Sequence, residues 1–336
     1  MEVMVRSSGL QGIITLLESF SIDAIALSEK FGVNKNDLLI SDSLIPLKSV
    51  TAILEESAIL TNCDFFGLEL SKFQDIEVLG PIAMVVKNAK TIRDALRLAT
   101  KYMHIHSPGI VLTVFEQSSY VSGAVELSLS IESESQSDCK QCLELCLADL
   151  HKILKFIIGE SYHPIAVAFT HGKLSNKYRT VFGSKIIFNH FRTGIHLSPE
   201  ILDTPIKLRS EAYLKIAEDY IKSNYQLKNE EIDTKVEKML YSFLGTEQVG
   251  KEHICEALAI HPRTLQRKLA EKGTKFEEIK EQVRKKVLFG YLTKTNTELQ
   301  KLTEIIGFSE LSSMSRACKK WFGKTPSEVR QTSSIE

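Results

Sequence analysis

The chain has 336 residues, of which 43% are hydrophobic and 25% are charged, a composition close to that of average globular proteins. A chain of this length predicts two domains, with three as the alternative. Because it can bury a sizeable core, it is not a fibrous, collagen-like or wholly disordered protein. The formal net charge is zero, from 42 Lys+Arg against 42 Asp+Glu, which for the whole chain argues against a polyanion-binding protein.

The N-terminus does not resemble a secretory signal. Its first residues are amphipathic and include Glu2 and Arg6, without a clean apolar core or a small-residue cleavage site. Charges interrupt the apolar segments, so none approaches the ~20 apolar residues of a membrane span. Six cysteines are too few for a disulfide scaffold. We expect a cytoplasmic protein with reduced thiols and no membrane contact.

The N-terminal part of the chain mixes helical and strand periodicity. Apolar spacing predicts helices over 47–60 and 92–103, and alternating β-branched residues predict a hairpin over 110–131 that turns at 117–119. The elements predicted next are a helix over 139–158, a strand over 165–170, a helix over 176–182, and strands over 186–191 and 194–197. This order is typical of an α+β domain.

Charge and periodicity divide the chain. The polar stretch 223–230 lacks hydrophobic periodicity, which predicts one domain over 1–222 and a second over 230–336. From Thr246 onward there are 17 Lys+Arg and 12 Asp+Glu, a net charge of +5, and the remainder of the chain carries −5. Such asymmetry indicates that the C-terminal segment has an anionic partner.

The C-terminal part is predicted to be all-α and internally repeated. An apolar stripe predicts a helix over 232–243. The helices predicted after it are short ones over 253–259 and 298–306, one from Pro262 to Gly273, a longer one over 276–292, one ending at Gly323, and a last one from Pro326. A short helix, a tight turn and a basic-faced helix thus occur twice, about 50 residues apart. The inner stripe of the second basic-faced helix contains Met314, Cys318 and Trp321.

The repeat has the pattern of two helix-turn-helix motifs. In such a motif the second helix enters the DNA major groove, so it needs an apolar rear face and short or basic polar side chains in front. Arg can bind guanine, Gln can bind adenine, and Ser can contact several base edges. The base-reading candidates are Arg263, Gln266 and Arg267 in the first motif, and Ser312, Ser313 and Arg316 in the second.

Three lysines follow the second set of candidates. Lys319, Lys320 and Lys324 suit phosphate contacts, which position a protein on DNA without reading its sequence. A plain helical bundle with solvated basic faces is the alternative for a single motif. Two motifs in tandem with the same polarity favour DNA binding.

Residues 250–330 resemble the DNA-binding domain of the AraC/XylS transcription regulators. The resemblance lies in His-Pro-Arg-Thr-Leu-Gln-Arg-Lys-Leu over 261–269, Ile-Ile-Gly-Phe-Ser over 305–309, Ser-Ser-Met-Ser-Arg over 312–316 and the segment 320–330. It implies motifs over about 249–271 and 298–322 joined by a linker helix, with the same six residues as base readers. The family usually has Phe at the positions of Met314 and Cys318 and Ala at that of Thr303, and these exchanges are compatible with packing.

The N-terminal part resembles the arabinose-binding-like sensor domain of regulators grouped with ornithine and arginine-pathway activators. The similar segments are 79–83, 95–99, 178–183, 187–188 and 201–205. The resemblance implies a ligand-sensing or dimerisation domain. The family label is not evidence that this chain binds arabinose.

Two other groups of residues have spacings that could form sites. Cys139, Cys142 and Cys146 could hold a metal or form a redox switch, but on a helix they share one apolar face and His151 lies about 120° away from Cys139. Buried packing is therefore the favoured interpretation, and we expect no metal and no cofactor. The pair His104 and His106 lacks neighbouring carboxylates, which favours loop or pocket lining over a metal site.

These patterns predict a transcription regulator and not an enzyme. We expect double-stranded DNA and a small-molecule effector of unknown identity as partners, a homodimer, and contact with RNA polymerase if the protein is an activator. The alternatives are a regulator whose N-terminal domain only dimerises and a cysteine-reactive DNA-repair fusion, which would need a thiol of low pKa. No run of residues identifies an effector pocket.

Overall fold

In the computed structural model, the chain forms two compact units, residues 1–226 and 227–336. We call them the N-terminal and the C-terminal unit. The structure describes residues 2–40, 43–118, 120–131, 139–172, 176–190, 192–207, 209–225, 231–244, 249–258, 260–294 and 297–333. Among these residues, no helix combines the length and the apolarity that a membrane span requires.

The N-terminal unit has an α+β fold, as predicted. Its helices are α1 (Ile13–Glu18), α2 (Ala24–Lys30), α3 (Lys35–Leu39), α4 (Leu47–Leu60), α5 (Phe66–Leu70), α6 (Pro81–Lys87), α7 (Ile92–His106), α8 (Lys140–Ile158), α9 (Lys177–Phe182) and α10 (Glu211–Asn224). Its strands are β1 (Met4–Arg6), β2 (Leu44–Pro46), β3 (Ile110–Phe115), β4 (Val125–Ile131), β5 (Ala166–Ala168), β6 (Lys185–Ile187) and β7 (Thr193–Leu197).

Five strands form the main sheet in the order β3-β4-β7-β5-β6. Neighbouring strands are antiparallel except for the parallel pair β5 and β6. Strands β4 and β7 approach closely at Gly194, where a Cβ atom would lie 2.7 Å from the Leu127 carbonyl oxygen. Helix α8 packs against β4, β7 and α4, and α7 packs against β3. The core of the unit lies between these helices and the sheet.

Several predicted bounds differ from the observed ones. Helix α7 continues beyond the predicted end at residue 103 to His106, and its start is capped by Thr91, whose Oγ1 accepts from the Asp94 amide. Strand β6 ends at Ile187, two residues before Asn189, whose φ of +54° is incompatible with an extended strand. Short helices such as α1 to α3 were not predicted, because fewer than two turns leave little periodicity to detect.

The C-terminal unit is helical throughout its described elements. They are α11 (Ile232–Phe243), α12 (Lys251–Ala257), α13 (Pro262–Glu271), α14 (Phe276–Lys294), α15 (Leu299–Ile305), α16 (Leu311–Phe322) and α17 (Pro326–Ser333). Gly273, Gly307 and Gly323 have φ values of +70° to +73° and follow α13, α15 and α16. Glycine favours such ends because it lacks a Cβ atom.

Trp321 departs from its predicted place on the inner stripe of α16. The indole is only partly buried, whereas Met314 and Cys318 are buried completely. Its Nε1 donates a hydrogen bond to Glu281 of α14 at 2.7 Å. Because indole needs a partner for its N–H, a position at the edge of the core suits it. Helix α12 begins two residues before the predicted start at 253, and Ala259 lies outside the described residues.

Candidate functional site

Helix α13 presents the first set of base-reading candidates to solvent. Arg263, Gln266 and Arg267 are exposed, while Leu265 and Leu269 on the opposite face are buried. The helix begins at Pro262, which is favoured at this position because it lacks an N–H. The apolar face fixes the rotation of α13, so the three long polar side chains extend away from the core.

Local contacts leave this surface accessible. The ring Nδ1 of His261 accepts a hydrogen bond from the Arg263 amide at 3.2 Å and caps the start of α13. Arg267 Nη1 lies 3.9 Å from the Glu271 carboxylate, and both side chains are more than half exposed. Such a surface pair contributes little to stability, so Arg267 can exchange it for a base.

Helix α16 presents the second set. Ser312 and Arg316 are exposed and Ser313 is partly exposed. Arg316 Nη2 donates to Ser313 Oγ at 3.2 Å, and Ser312 Oγ donates to the carboxylate of Glu310 at 3.0 Å. Two of the three candidates of α16 are serines, which are shorter than the candidates of α13, and all three are already joined to neighbouring side chains.

The three residues that differ from the AraC/XylS pattern lie at the contact between α15 and the buried face of α16. Thr303, Met314 and Cys318 are all buried. Thr303 Oγ1 donates to the Leu299 carbonyl at 2.9 Å and lies 3.6 Å from the Met314 sulfur. Burial raises the pKa of the Cys318 thiol to about 11. The hydroxyl is satisfied inside its own helix, so the exchanges are accommodated without an unpaired polar group.

The three phosphate candidates differ in their contacts. Lys319, Lys320 and Lys324 are exposed, but Lys320 Nζ lies 2.6 Å from the Glu281 carboxylate of α14. Hydrogen bonds from Lys320 and Trp321 lower the pKa of Glu281. Lys320 therefore connects α16 to α14, and its ammonium is partly neutralised.

Two arginines for which sequence analysis assigned no role hold the second motif together. Arg284 of α14 donates from Nε to the Ile306 carbonyl at 3.0 Å and from Nη2 to the Gly307 carbonyl. Its guanidinium lies 4.5 Å from the centre of the Phe308 ring, and burial lowers its pKa. Arg330 of α17 donates to the Thr297 carbonyl. Backbone carbonyls are the acceptors, so no residue pattern indicates these contacts.

The N-terminal unit contains a cavity of about 90 Å³ that sequence analysis did not locate. Its walls come from β3, β4, α4, α7 and α8 and from the segment 74–79. Most lining residues are apolar, and the polar side chains among them are Gln74, His106 and Asp149. His106 thus lines a pocket, one of the two outcomes expected for the histidine pair.

The three clustered cysteines lie at the start of α8. Cys139 and Cys142 are buried and Cys146 is partly buried. A hydrogen bond with Cys146 and burial raise the pKa of the Cys142 thiol well above its ordinary value, which opposes thiolate chemistry. The described residues contain no group of three or more His, Cys, Asp or Glu side chains arranged to hold a metal ion.

Comparison with known proteins defines the class. Residues 22–206 match the arabinose-binding domain of AraC transcription regulators, and residues 254–332 match a helix-turn-helix domain. The chain therefore belongs to the AraC family of transcription regulators. It is a DNA-binding transcription regulator with an arabinose-binding-like N-terminal domain, and the members of this family are not enzymes.

Individual relatives are similar to this chain over most of its length. The HTH-type transcriptional regulator VirS of Mycobacterium tuberculosis is 27% identical over 97% of this chain and 96% of its own length. The ornithine utilization regulator of Pseudomonas aeruginosa is 25% identical over 79% of this chain and 78% of its own length. The crystal structure of transcriptional regulator CdpR from Pseudomonas aeruginosa has 17% identity, covers 79% of this chain and 86% of that chain, and has a TM-score of 0.41.

Proposed function

We propose that the protein binds a specific promoter sequence through α13 and α16, and that a small molecule bound by the N-terminal unit controls this binding. The observation that carries the proposal is the front of α13, where Arg263, Gln266 and Arg267 are exposed above a buried apolar face. Arg and Gln are the side chains that form paired hydrogen bonds with guanine and adenine in the major groove.

The length of α14 supports reading by both motifs. Its 19 residues span about 28 Å at the α-helical rise. Successive major-groove faces on one side of DNA lie about 34 Å apart. We therefore assign base contacts to Ser312, Ser313 and Arg316 as well, and phosphate contacts to Lys319, Lys320 and Lys324.

The Arg267→Ala variant tests this assignment. Operator sequences are first selected from a random duplex library with the full-length protein, and affinities are then measured by fluorescence anisotropy at fixed salt. We expect Arg267→Ala to weaken operator binding by about 1–3 kcal/mol, while binding to random DNA changes little. Arg179→Ala, which removes an exposed arginine from α9, is the matched control. Equal operator affinities of Arg267→Ala and the control would contradict the proposal.

Effector control requires a ligand with different affinities for the two states of the regulator. The cavity in the N-terminal unit supports this role because its lining is predominantly apolar, as the linings of small-molecule sites are. A metabolite panel in a thermal-shift assay, followed by anisotropy with the stabilising compound, provides the test. A stabilising compound that leaves operator affinity unchanged would contradict effector control.

We further propose that the protein forms a homodimer through α10. Tyr213, Ile216 and Tyr220 are exposed at i, i+3 and i+7, whereas Ala217 and Ile221 on the other face are buried. An apolar stripe with this spacing fits a paired helix of a second copy. If the protein is an activator, RNA polymerase is a further partner, which in vitro transcription from the selected operator would reveal.

Substitution on the α10 stripe tests the dimer. We expect Ile216→Lys to convert a dimer to a monomer in light scattering, because an ammonium would be placed in an apolar contact. Lys215→Ala alters the neighbouring exposed position and should leave the mass unchanged. A monomeric wild-type chain, or a dimer that persists in Ile216→Lys, would contradict this arrangement.

A further inference from the structure

Glu310 is an acidic residue at the start of a helix whose outward side is basic. It is exposed and lies directly before α16, where Arg316, Lys319 and Lys320 are also exposed. In a helix-turn-helix motif the residues at the N-terminal end of the second helix contact the edges of the bases. The Glu310 carboxylate is thus placed at the end of α16 that would enter the major groove.

A hydrogen bond holds the Glu310 carboxylate beside a base-reading candidate. Its Oε2 accepts from Ser312 Oγ at 3.0 Å, and Ser312 is itself exposed. A serine hydroxyl has a single proton, and this proton is engaged by Glu310. Ser312 Oγ therefore offers only acceptor lone pairs to a ligand, as the carboxylate does. The two side chains form a pair of neighbouring acceptors at the surface.

The negative charge of Glu310 is not neutralised by a neighbour. Among the described residues, no lysine or arginine forms an ion pair with this carboxylate, whereas the Glu281 carboxylate lies 2.6 Å from Lys320 Nζ. DNA carries one negative charge per phosphate, so it repels an unneutralised carboxylate. That repulsion is offset only where a base donates a hydrogen bond to the carboxylate.

The major groove presents two groups that can donate to such acceptors. Cytosine offers its N4 amino group and adenine its N6 amino group, whereas guanine and thymine offer acceptors. Adenine also carries the acceptor N7 next to its amino group, which would face an oxygen of the carboxylate. Cytosine has no acceptor on its own major-groove edge. It is therefore the base that satisfies the carboxylate without an opposing lone pair.

We propose that Glu310 selects a cytosine in the DNA read by α16, by accepting a hydrogen bond from N4, and that Ser312 holds the carboxylate in position. The α-helical rise places residue 310 about 9 Å from residue 316 along the helix axis, and base pairs are stacked about 3.4 Å apart. The selected cytosine should lie within about three base pairs of the base read by Arg316. The proposal rests on the proposed function, in which α16 enters the major groove.

The Glu310→Gln variant tests the proposal most sharply, because glutamine prefers a different base. Its side chain has nearly the same shape, but its amide pairs with N6 and N7 of adenine. Each base pair of an operator selected with the full-length protein is exchanged in turn, and affinities are measured by fluorescence anisotropy at one salt concentration. We expect wild type to prefer cytosine about tenfold at one position, and Glu310→Gln to prefer adenine there. Binding to random DNA should become tighter in Glu310→Gln, since a repelled charge is removed.

Two further variants separate base selection from general charge effects. Glu304→Gln removes another exposed carboxylate of the second motif and should leave every base preference as in wild type. Ser312→Ala removes the donor that holds the Glu310 carboxylate and should reduce the cytosine preference by less than Glu310→Gln does. Trp321 fluorescence during denaturation shows whether each variant keeps the stability of the second motif.

Arg316→Ala distinguishes failure of this proposal from failure of reading by α16. If Arg316→Ala loses discrimination at its own base pair while Glu310→Gln keeps every wild-type preference, the selection of cytosine by Glu310 alone is overturned. A Glu310-dependent position that prefers guanine or thymine, or an equal loss of affinity for all sequences in Glu310→Gln, would also overturn it. Unchanged preferences in both variants would contradict base reading by α16 and this proposal together.

Discussion

Helices α13 and α16, which we propose to read bases, carry different side chains on the same kind of scaffold. Helix α13 carries Arg263, Gln266 and Arg267, whose recorded contacts are confined to the helix and its cap. Helix α16 carries two serines and Arg316, and it is tied to the linker helix α14 through Glu281. The long side chains of α13 are thus free to extend into solvent, whereas the hydrogen bonds of α16 fix it against α14. Two tandem motifs with similar sequence patterns can therefore differ in their roles.

Among the substitutions that test this contrast, Arg284→Ala should have the largest effect, which is a loss of stability in the second motif. Arg284→Ala removes the bonds to the Ile306 and Gly307 carbonyls and leaves both without their donor. We expect a loss of about 2–3 kcal/mol of stability in the second motif. Trp321 is the only tryptophan and lies in that motif, so denaturation followed by its fluorescence measures the change. Arg263→Ala, an exposed control, should unfold as the wild type does, and a wild-type transition for Arg284→Ala would refute the anchoring role.

A smaller effect should distinguish Lys319 from Lys320, namely the dependence of DNA affinity on salt concentration. Lys319→Ala should reduce the slope of log affinity against log salt by about 1, as expected for a lost phosphate contact. Lys320→Ala should reduce it less, because Glu281 already neutralises part of the Lys320 charge. Anisotropy over a salt series provides both slopes. A larger change in slope for Lys320→Ala would show that the Glu281 pair opens on DNA.

The smallest expected effect is a pH dependence of the stability of the second motif. The pKa of Glu281 is lowered by its hydrogen bonds with Lys320 and Trp321, so the carboxylate stabilises the fold above its unfolded pKa. This contribution is lost as the pH falls through the lower folded pKa, below the ordinary glutamate value of about 4.3. Trp321 fluorescence should change over that range in the wild type and stay constant in Glu281→Gln. A wild-type signal that does not respond to acid would argue against this contact.

The elements that could be predicted from the sequence are those that depend on residues close together in the chain. Helix α4 has the predicted bounds because its 14 residues repeat an apolar stripe over several turns, and the two motifs follow from apolar spacing and glycine positions. The cavity could not be predicted, since its lining residues come from segments that are far apart in sequence and are brought together only by the tertiary fold. Arg284 escaped notice for the same reason, because its acceptors are backbone carbonyls more than twenty residues away.

The central claim is that two separate helices read bases about one turn of DNA apart. A scan of every base pair of the selected operator, with wild type, Arg267→Ala and Arg316→Ala, tests it most directly. Each variant should lose discrimination at its own position, and the two positions should lie about 10 base pairs apart. The loss should be larger for Arg267→Ala, whose side chain has no serine partner. Uniform loss of affinity across all sequences, or loss at one shared position, would contradict the claim.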